Sequence, residues 1–143
     1  QLVTLSPRLN QEKDVVRLLI VDDEEELCNF LAEQLDAEGF ETHRAYNGQG
    51  ALDVATKYNC NLAIVDLKLP QIRGEDLVER WRTSNSPIRE VIVVTGGIDQ
   101  SILSLKRKGL TVLQKPVDTD TLIQLIFKLC EKYNLITKKV EDK

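Results

Sequence analysis

The sequence predicts an α/β domain organised around a mainly parallel, doubly wound sheet. Two observations carry that prediction. Five strand-length apolar or alternating runs alternate with five segments whose apolar residues recur at helical spacing. Four of the runs also lead straight into polar residues: Asp22-Asp23 after Leu18-Leu19-Ile20-Val21, Asp66 after Leu62-Ala63-Ile64-Val65, Thr95 after Val91-Ile92-Val93-Val94, and Lys115 just beyond Leu110 to Leu113. Groups at the same end of successive parallel strands converge outside the carboxyl edge of such a sheet, where these folds bind ligands.

Residues 1–14 are polar and irregular and read as a flexible arm or the end of a linker. The domain is expected over residues 15–134. After the first strand, Glu24-Glu25-Glu26 opens a helix whose acidic first turn suits the positive end of the helix dipole. Leu27, Phe30, Leu31 and Leu35 keep helical spacing, and Gly39 supplies a stop. Phe40 to Ala45 forms the second strand; Glu41, His43 and Arg44 make it an edge. Asn47-Gly48 turns the chain into a helix with Ala51, Leu52, Ala55 and Tyr58.

The Asp66 strand is followed by a loop with Pro70 and Gly74, then by a helix with Leu77, Val78 and Trp81. Ser84 to Pro87 leads into the fourth strand. Gly96-Gly97 opens onto a helix with Ile98, Ile102 and Leu105, stopped at Gly109. The last strand runs out at Lys115-Pro116, and Asp118 or Thr119 caps a final helix carrying Leu122, Leu125, Ile126, Leu129 and Tyr133. Residues 135–143 read as a charged tail. The first, third and fourth strands are the most continuously apolar, which places them inside the sheet.

The chain's 143 residues suit one domain, and 42% apolar with 29% charged residues is a globular profile. No apolar stretch approaches the roughly 20 residues of a membrane span, and the start has no signal-peptide core. The net charge of −4 argues against direct nucleic-acid binding. Cys28, Cys60 and Cys130 lack metal-site spacing and read as free thiols, as expected of a cytoplasmic protein. Lys106, Arg107 and Lys108 complement a helix C-terminus.

The converging residues bring three carboxylates, a hydroxyl and an ammonium to one patch. Asp22 and Asp23 crowd like charge, which a cation would relieve. Mg²⁺ suits such hard oxygen ligands. A carboxylate such as Asp66 can attack phosphorus to give an aspartyl phosphate, and Lys115 supplies a point charge for phosphoryl oxygens.

With Asp66 in D-L-K-L-P, Gly74 eight positions later, Thr95-Gly96 and Lys115-Pro116, the chain resembles the receiver domains of two-component response regulators over residues 17–133. The resemblance implies a flavodoxin-like five-stranded parallel sheet of order 2-1-3-4-5 with five helices. It implies that Asp66 is the phosphoacceptor, phosphorylated by a histidine kinase or histidine phosphotransfer protein. Asp23, Asp66 and the main-chain carbonyl of Lys68 would ligate Mg²⁺, with Asp22 acting through water. Thr95 and Lys115 would bind the phosphoryl group, and the Lys115-Pro116 bond would be cis. Lys68 and Gly97 would tune dephosphorylation. The helix from Ile98 to Lys108, the last strand and the final helix would form a docking or homodimer face.

Such a chain is a phosphoacceptor assisting its own phosphotransfer and dephosphorylation, not an enzyme with a separate substrate. No effector pattern follows Tyr133, so a lone regulator or one part of a larger protein is expected. The sequence departs from the family pattern at Val112, where receivers commonly carry an aromatic residue three positions before the lysine. A swinging ring cannot operate there. Two further readings compete. A degenerate receiver docking partners without phosphorylation is disfavoured by the intact Asp22, Asp23, Asp66, Thr95 and Lys115. A phosphatase or flavin carrier is disfavoured by Lys68, where a second acid is wanted, and by Asp22-Asp23, which would repel a flavin phosphate.

Overall fold

The computed structural model describes residues 2–5, 15–97, 100–135 and 138–141. Its main sheet contains β1 (Arg17–Val21), β2 (Glu41–Ala45), β3 (Leu62–Asp66), β4 (Glu90–Thr95) and β5 (Thr111–Gln114). The helices are α1 (Glu25–Ala37), α2 (Gly48–Tyr58), α3 (Gly74–Thr83), α4 (Gln100–Arg107) and α5 (Thr119–Lys132). All neighbouring strands are parallel, and the order across the sheet is β2-β1-β3-β4-β5. The three most apolar strands are therefore interior and the charged second strand is an edge, as their compositions dictate.

Strand side chains alternate between two buried layers. Leu18, Ile20, Leu62, Ile64, Ile92 and Val94 pack with Leu31 and Leu35 of α1 and Leu122 and Ile126 of α5. Leu19, Val21, Ala63, Val65, Val91 and Val93 pack on the other face with α2, α3 and α4 residues, Trp81 among them. Burial on both faces is why these strands read as continuous apolar runs. Cys28, Cys60 and Cys130 are buried free thiols, and burial pushes Cys60 and Cys130 up to about 12. Among the described residues no helix is long and apolar enough to cross a membrane.

Two features go beyond the sequence reading. Leu2–Leu5 pairs antiparallel with Lys138–Glu141, Val3 opposite Val140, in a separate two-stranded sheet. Those segments fall within the expected arm and tail, where no strand signal stands out; residues 6–14 lie outside the described residues, as does Ile98. The second feature is the loop between β3 and α3. Gln71 takes a left-handed φ of 69°, and the following Ile72 seats against the start of α2.

A Cβ added at Gly48 would fall 2.5 Å from the Ile72 Cβ and 3.1 Å from its Cγ2. Gly48→Ala should therefore destabilise the fold by about 1–3 kcal/mol, the usual penalty for overpacking. Urea denaturation measures this directly, and an unchanged midpoint would mean that the contact yields freely.

Candidate functional site

Strand register assembles the site. Val21 pairs with Val65, so Asp22 and Asp66 each stand at the end of an adjacent interior strand. Asp66 pairs with Val94, and Thr95, the next residue, pairs with Gln114, immediately before Lys115. Parallel pairing thus carries four separate sequence positions to one carboxyl edge. Carboxylate oxygens of Asp22, Asp23 and Asp66 lie within 4.8 Å of one another. Asp22 and Asp66 are buried, whereas Asp23 is exposed.

Lys115 is the cation within this cluster. Its Nζ lies 3.0 Å from Asp22 Oδ2, 3.3 Å from Asp66 Oδ2 and 3.2 Å from Glu24 Oε1. Burial alone would lower the Lys115 pKa, but the hydrogen bond and charge of Asp22, with the charges around it, hold the ammonium above its ordinary value. Burial dominates at Asp22 and raises its pKa, helped by the Asp66 charge and opposed by the Glu24 N–H and Lys115. That N–H donates to Asp22 Oδ1 at 2.9 Å.

The backbone around Asp66 is equally constrained. The Lys68 N–H donates to Asp66 Oδ1 at 3.1 Å. The Gly74 N–H donates to the Leu67 carbonyl at 3.1 Å. A Cβ at Gly74 would come within 2.8 Å of both the Asp66 carbonyl oxygen and the Leu67 Cα. Only a residue without a side chain lets α3 begin this close to the strand end. The Lys115 N–H donates to the Thr95 carbonyl at 2.8 Å, and the Lys115-Pro116 peptide is cis.

Thr95 is fully buried, and its Oγ1 has no hydrogen-bond partner among the described residues. An unsatisfied hydroxyl in such a position is costly unless a ligand or water answers it. The patch therefore offers acidic oxygens for a cation and, beside them, an ammonium and a free hydroxyl for an anion.

Comparison with known proteins decides what this arrangement belongs to. Residues 18–127 match the response regulator receiver domain. The chain is a member of that family. Sporulation initiation phosphotransferase F of Bacillus subtilis is 34% identical over 113 residues, covering 78% of this chain and 91% of that protein. Response regulator ArlR of Staphylococcus aureus is 31% identical over 114 residues, and the match spans 78% of this chain but 51% of ArlR. A solved receiver domain protein from Methanospirillum hungatei superposes with a TM-score of 0.74 at 28% identity, covering 82% of this chain and 94% of that one. Another, from Clostridium thermocellum, gives 0.74 at 25% identity over 85% and 98%.

Receiver domains of two-component systems are characteristically phosphorylated on aspartate, by histidine kinases or phosphotransfer proteins. In this receiver Asp22, Asp23, Asp66, Thr95 and Lys115 all fall at the carboxyl edge. Lys68 and Gly97 also approach each other: a Cβ built on Gly97 would lie 3.9 Å from Lys68 Nζ. Val112 is half-buried on β5 and packs against the layer containing Trp81. His43 stands apart on β2, its ring stacked on Tyr58 and its Nε2 2.7 Å from Glu41 Oε2. Sequence reasoning missed Glu24, which it treated only as part of an acidic first turn that suits the helix dipole. Its position two residues beyond Asp22, at the same strand end, was the available signal.

Proposed function

We propose that this receiver takes a phosphoryl group from a histidine kinase or histidine phosphotransfer protein onto Asp66 in a Mg²⁺-dependent reaction. The observation that carries the reading is the meeting of Asp66 with a lysine ammonium and an unpartnered buried hydroxyl at one strand edge. The donor set fits Mg²⁺: hard carboxylate oxygens of Asp22, Asp23 and Asp66 lie close enough to share a cation. With the main-chain carbonyl of Lys68 they would hold it. When bound, the ion neutralises charge on the reacting phosphoryl group.

The remaining work falls to this chain's own groups. An Asp66 carboxylate oxygen attacks phosphorus as the bond to the donor nitrogen breaks. The transition state is loose, so positioning and charge neutralisation dominate. The Lys68 N–H orients the carboxylate; Lys115 answers the phosphoryl charge, and the Thr95 hydroxyl donates to a phosphoryl oxygen. The chain acts as a phosphoacceptor that assists its own transfer and dephosphorylation. A cytoplasmic location fits the three unpaired buried thiols.

Acetyl phosphate with Mg²⁺ should add one phosphoryl group by intact mass, and EDTA should prevent it. Failure to label with Mg²⁺ present would favour a phosphorylation-independent docking module instead.

Switching is expected to run through Thr95 and α4 without a rotating ring on β5, because Val112 is too small to fill an aromatic's place. A phosphoryl group adds roughly −1.5 to −2 charge, and Thr95 and Lys115 are the donors nearest to answer it. Beryllofluoride with Mg²⁺ should shift NMR resonances mainly from Thr95 to Leu105 and around Lys115, and Thr95→Ala should shrink them. Shifts centred on Phe40 to Tyr58 would refute this route. By the same reading, α4, β5 and α5 form the docking or homodimer face.

Lys68 and Gly97 should set the phosphoryl lifetime in opposite directions. The long Lys68 side chain can lie across the path of the in-line water, while Gly97 leaves its side open. Lys68→Ala is expected to dephosphorylate about fivefold faster, equivalent to ~1 kcal/mol of barrier. Decay of the phosphorylated mass measures it, and an equal or slower rate would remove the shielding role.

A further inference from the structure

The end of the sheet remote from Asp66 carries a second concavity of a different chemical character. A cleft of about 410 Å³ opens between the C-terminal turn of α3, the start of β4, the turn after α4 and the residue after α5. Its volume lies in the range of small-molecule sites. Arg82, Arg89 and Lys108 line it. All three are exposed and form no ion pair among the described residues.

The single acid in the lining, Glu90, is already engaged. It accepts a hydrogen bond from the Tyr133 hydroxyl and stands 3.7 Å from Lys132 Nζ. Three cations without an ion pair among the described residues therefore share one cleft on a chain whose net charge is −4, while Glu75 and Glu79 line the adjoining hollow that Arg82 and Lys108 also border. Helix C-termini account for Arg82 and Lys108 taken singly, but Arg89 precedes a strand and has no such reason to be there. Two guanidinium forks match the geometry of phosphate oxygens. Trp81 and Tyr133 bring aromatic surface to the same lining.

We propose that this cleft binds a small polyanion of the diphosphate class, either free or carried on a nucleoside. Arg82, Arg89 and Lys108 hold the phosphates, and the aromatic residues border the space open to a base. The site uses none of the groups assigned to phosphoryl transfer, so it stands or falls independently of Asp66.

Pyrophosphate and ADP, titrated separately into the full chain in Mg²⁺-free buffer containing EDTA, provide the test by calorimetry and NMR. Saturable binding is expected, with shifts at Arg82, Arg89, Leu110 and Tyr133, and it should weaken as salt rises. Arg82→Gln, Arg89→Gln and Lys108→Gln should each weaken it about fivefold, while Asp66→Asn leaves it unchanged. Tighter binding of ADP assigns the nucleoside-borne form and equal binding the free diphosphate; either sustains the proposal. No saturation at roughly millimolar ligand, shifts centred on Asp66 and Lys115, or unchanged affinity in all three variants would overturn it. So would tighter binding of an acidic peptide, which would make the cleft a protein contact. These side chains are exposed, so circular dichroism should show each variant folded.

Discussion

Asp66→Asn should accept no phosphoryl group from acetyl phosphate or from a histidine donor, and should remain folded. An amide oxygen is no substitute for a carboxylate nucleophile, so the effect is complete loss rather than slowing. The fold should survive because Asn keeps an oxygen to accept the Lys68 N–H, a bond of 3.1 Å in this protein. Lys115 also keeps Asp22 as a partner at 3.0 Å. Stability without Mg²⁺ should be equal or higher, since the Asp66 charge is one of the influences raising the Asp22 pKa. Intact mass after acetyl phosphate treatment, together with a urea melt, checks both parts. Stoichiometric labelling of the Asn variant would mean that another group is the acceptor.

Lys115→Ala should produce the largest loss of stability at the site. The ammonium touches three carboxylates, two of them on side chains only 5% and 8% exposed. Its removal leaves Asp22 and Asp66 with uncompensated like charge. Breaking a buried pair by deleting one partner costs several kcal/mol; discounted for partial exposure and for Glu24 at the surface, roughly 1–3 kcal/mol is expected here.

The pH dependence follows from the direction of the shifts. Because the folded pKa of Lys115 is raised, its stabilisation is fully present below the ordinary lysine value of 10.5 and is lost as pH rises through the folded value. The Ala variant's deficit should therefore be large at neutral pH and disappear in strong alkali. It should also narrow in acid, as the carboxylates protonate. Asp22 shifts stability in the same direction at lower pH: its raised pKa makes stability fall as pH climbs from the ordinary carboxylate range through the folded value, so the ionised carboxylate is a penalty at neutral pH. A cation should offset that penalty, so Mg²⁺ should partly restore the Ala variant. Urea melts across pH, with and without Mg²⁺, test this; a uniform deficit would point to lost packing instead of lost charge.

Much of this architecture is legible in the chain because burial on both sheet faces leaves an unbroken record. Leu18 to Val21, Leu62 to Val65 and Val91 to Val94 alternate between two cores, so every position must be apolar. Carboxyl-edge residues then follow from where those runs stop. The strand order was legible only through family resemblance, since periodicity does not say which strands are neighbours; composition alone identified β2 as an edge.

What escaped has equally physical causes. Glu24 lies among three consecutive glutamates, and only the reach of the Lys115 side chain from beyond β5, past β4 and β3, selects it. The seating of Ile72 on Gly48 joins residues distant in sequence, through a loop whose shape depends on Gln71 adopting an angle that side chains disfavour. The pairing of Leu2–Leu5 with Lys138–Glu141 joins the two ends of the chain, and no local pattern encodes such a contact. The cleft at Arg82, Arg89 and Lys108 likewise forms from four separate segments whose charges, taken one at a time, look like ordinary surface.

The central claim is that Asp66, among three neighbouring aspartates, is the group phosphorylated. Borohydride reduces an acyl phosphate to the corresponding alcohol, converting a phosphorylated aspartate to homoserine. After acetyl phosphate and Mg²⁺ treatment, reduction and peptide sequencing by mass spectrometry, homoserine is expected at position 66 alone; homoserine at position 22 or 23, or none at any of the three, would contradict the account.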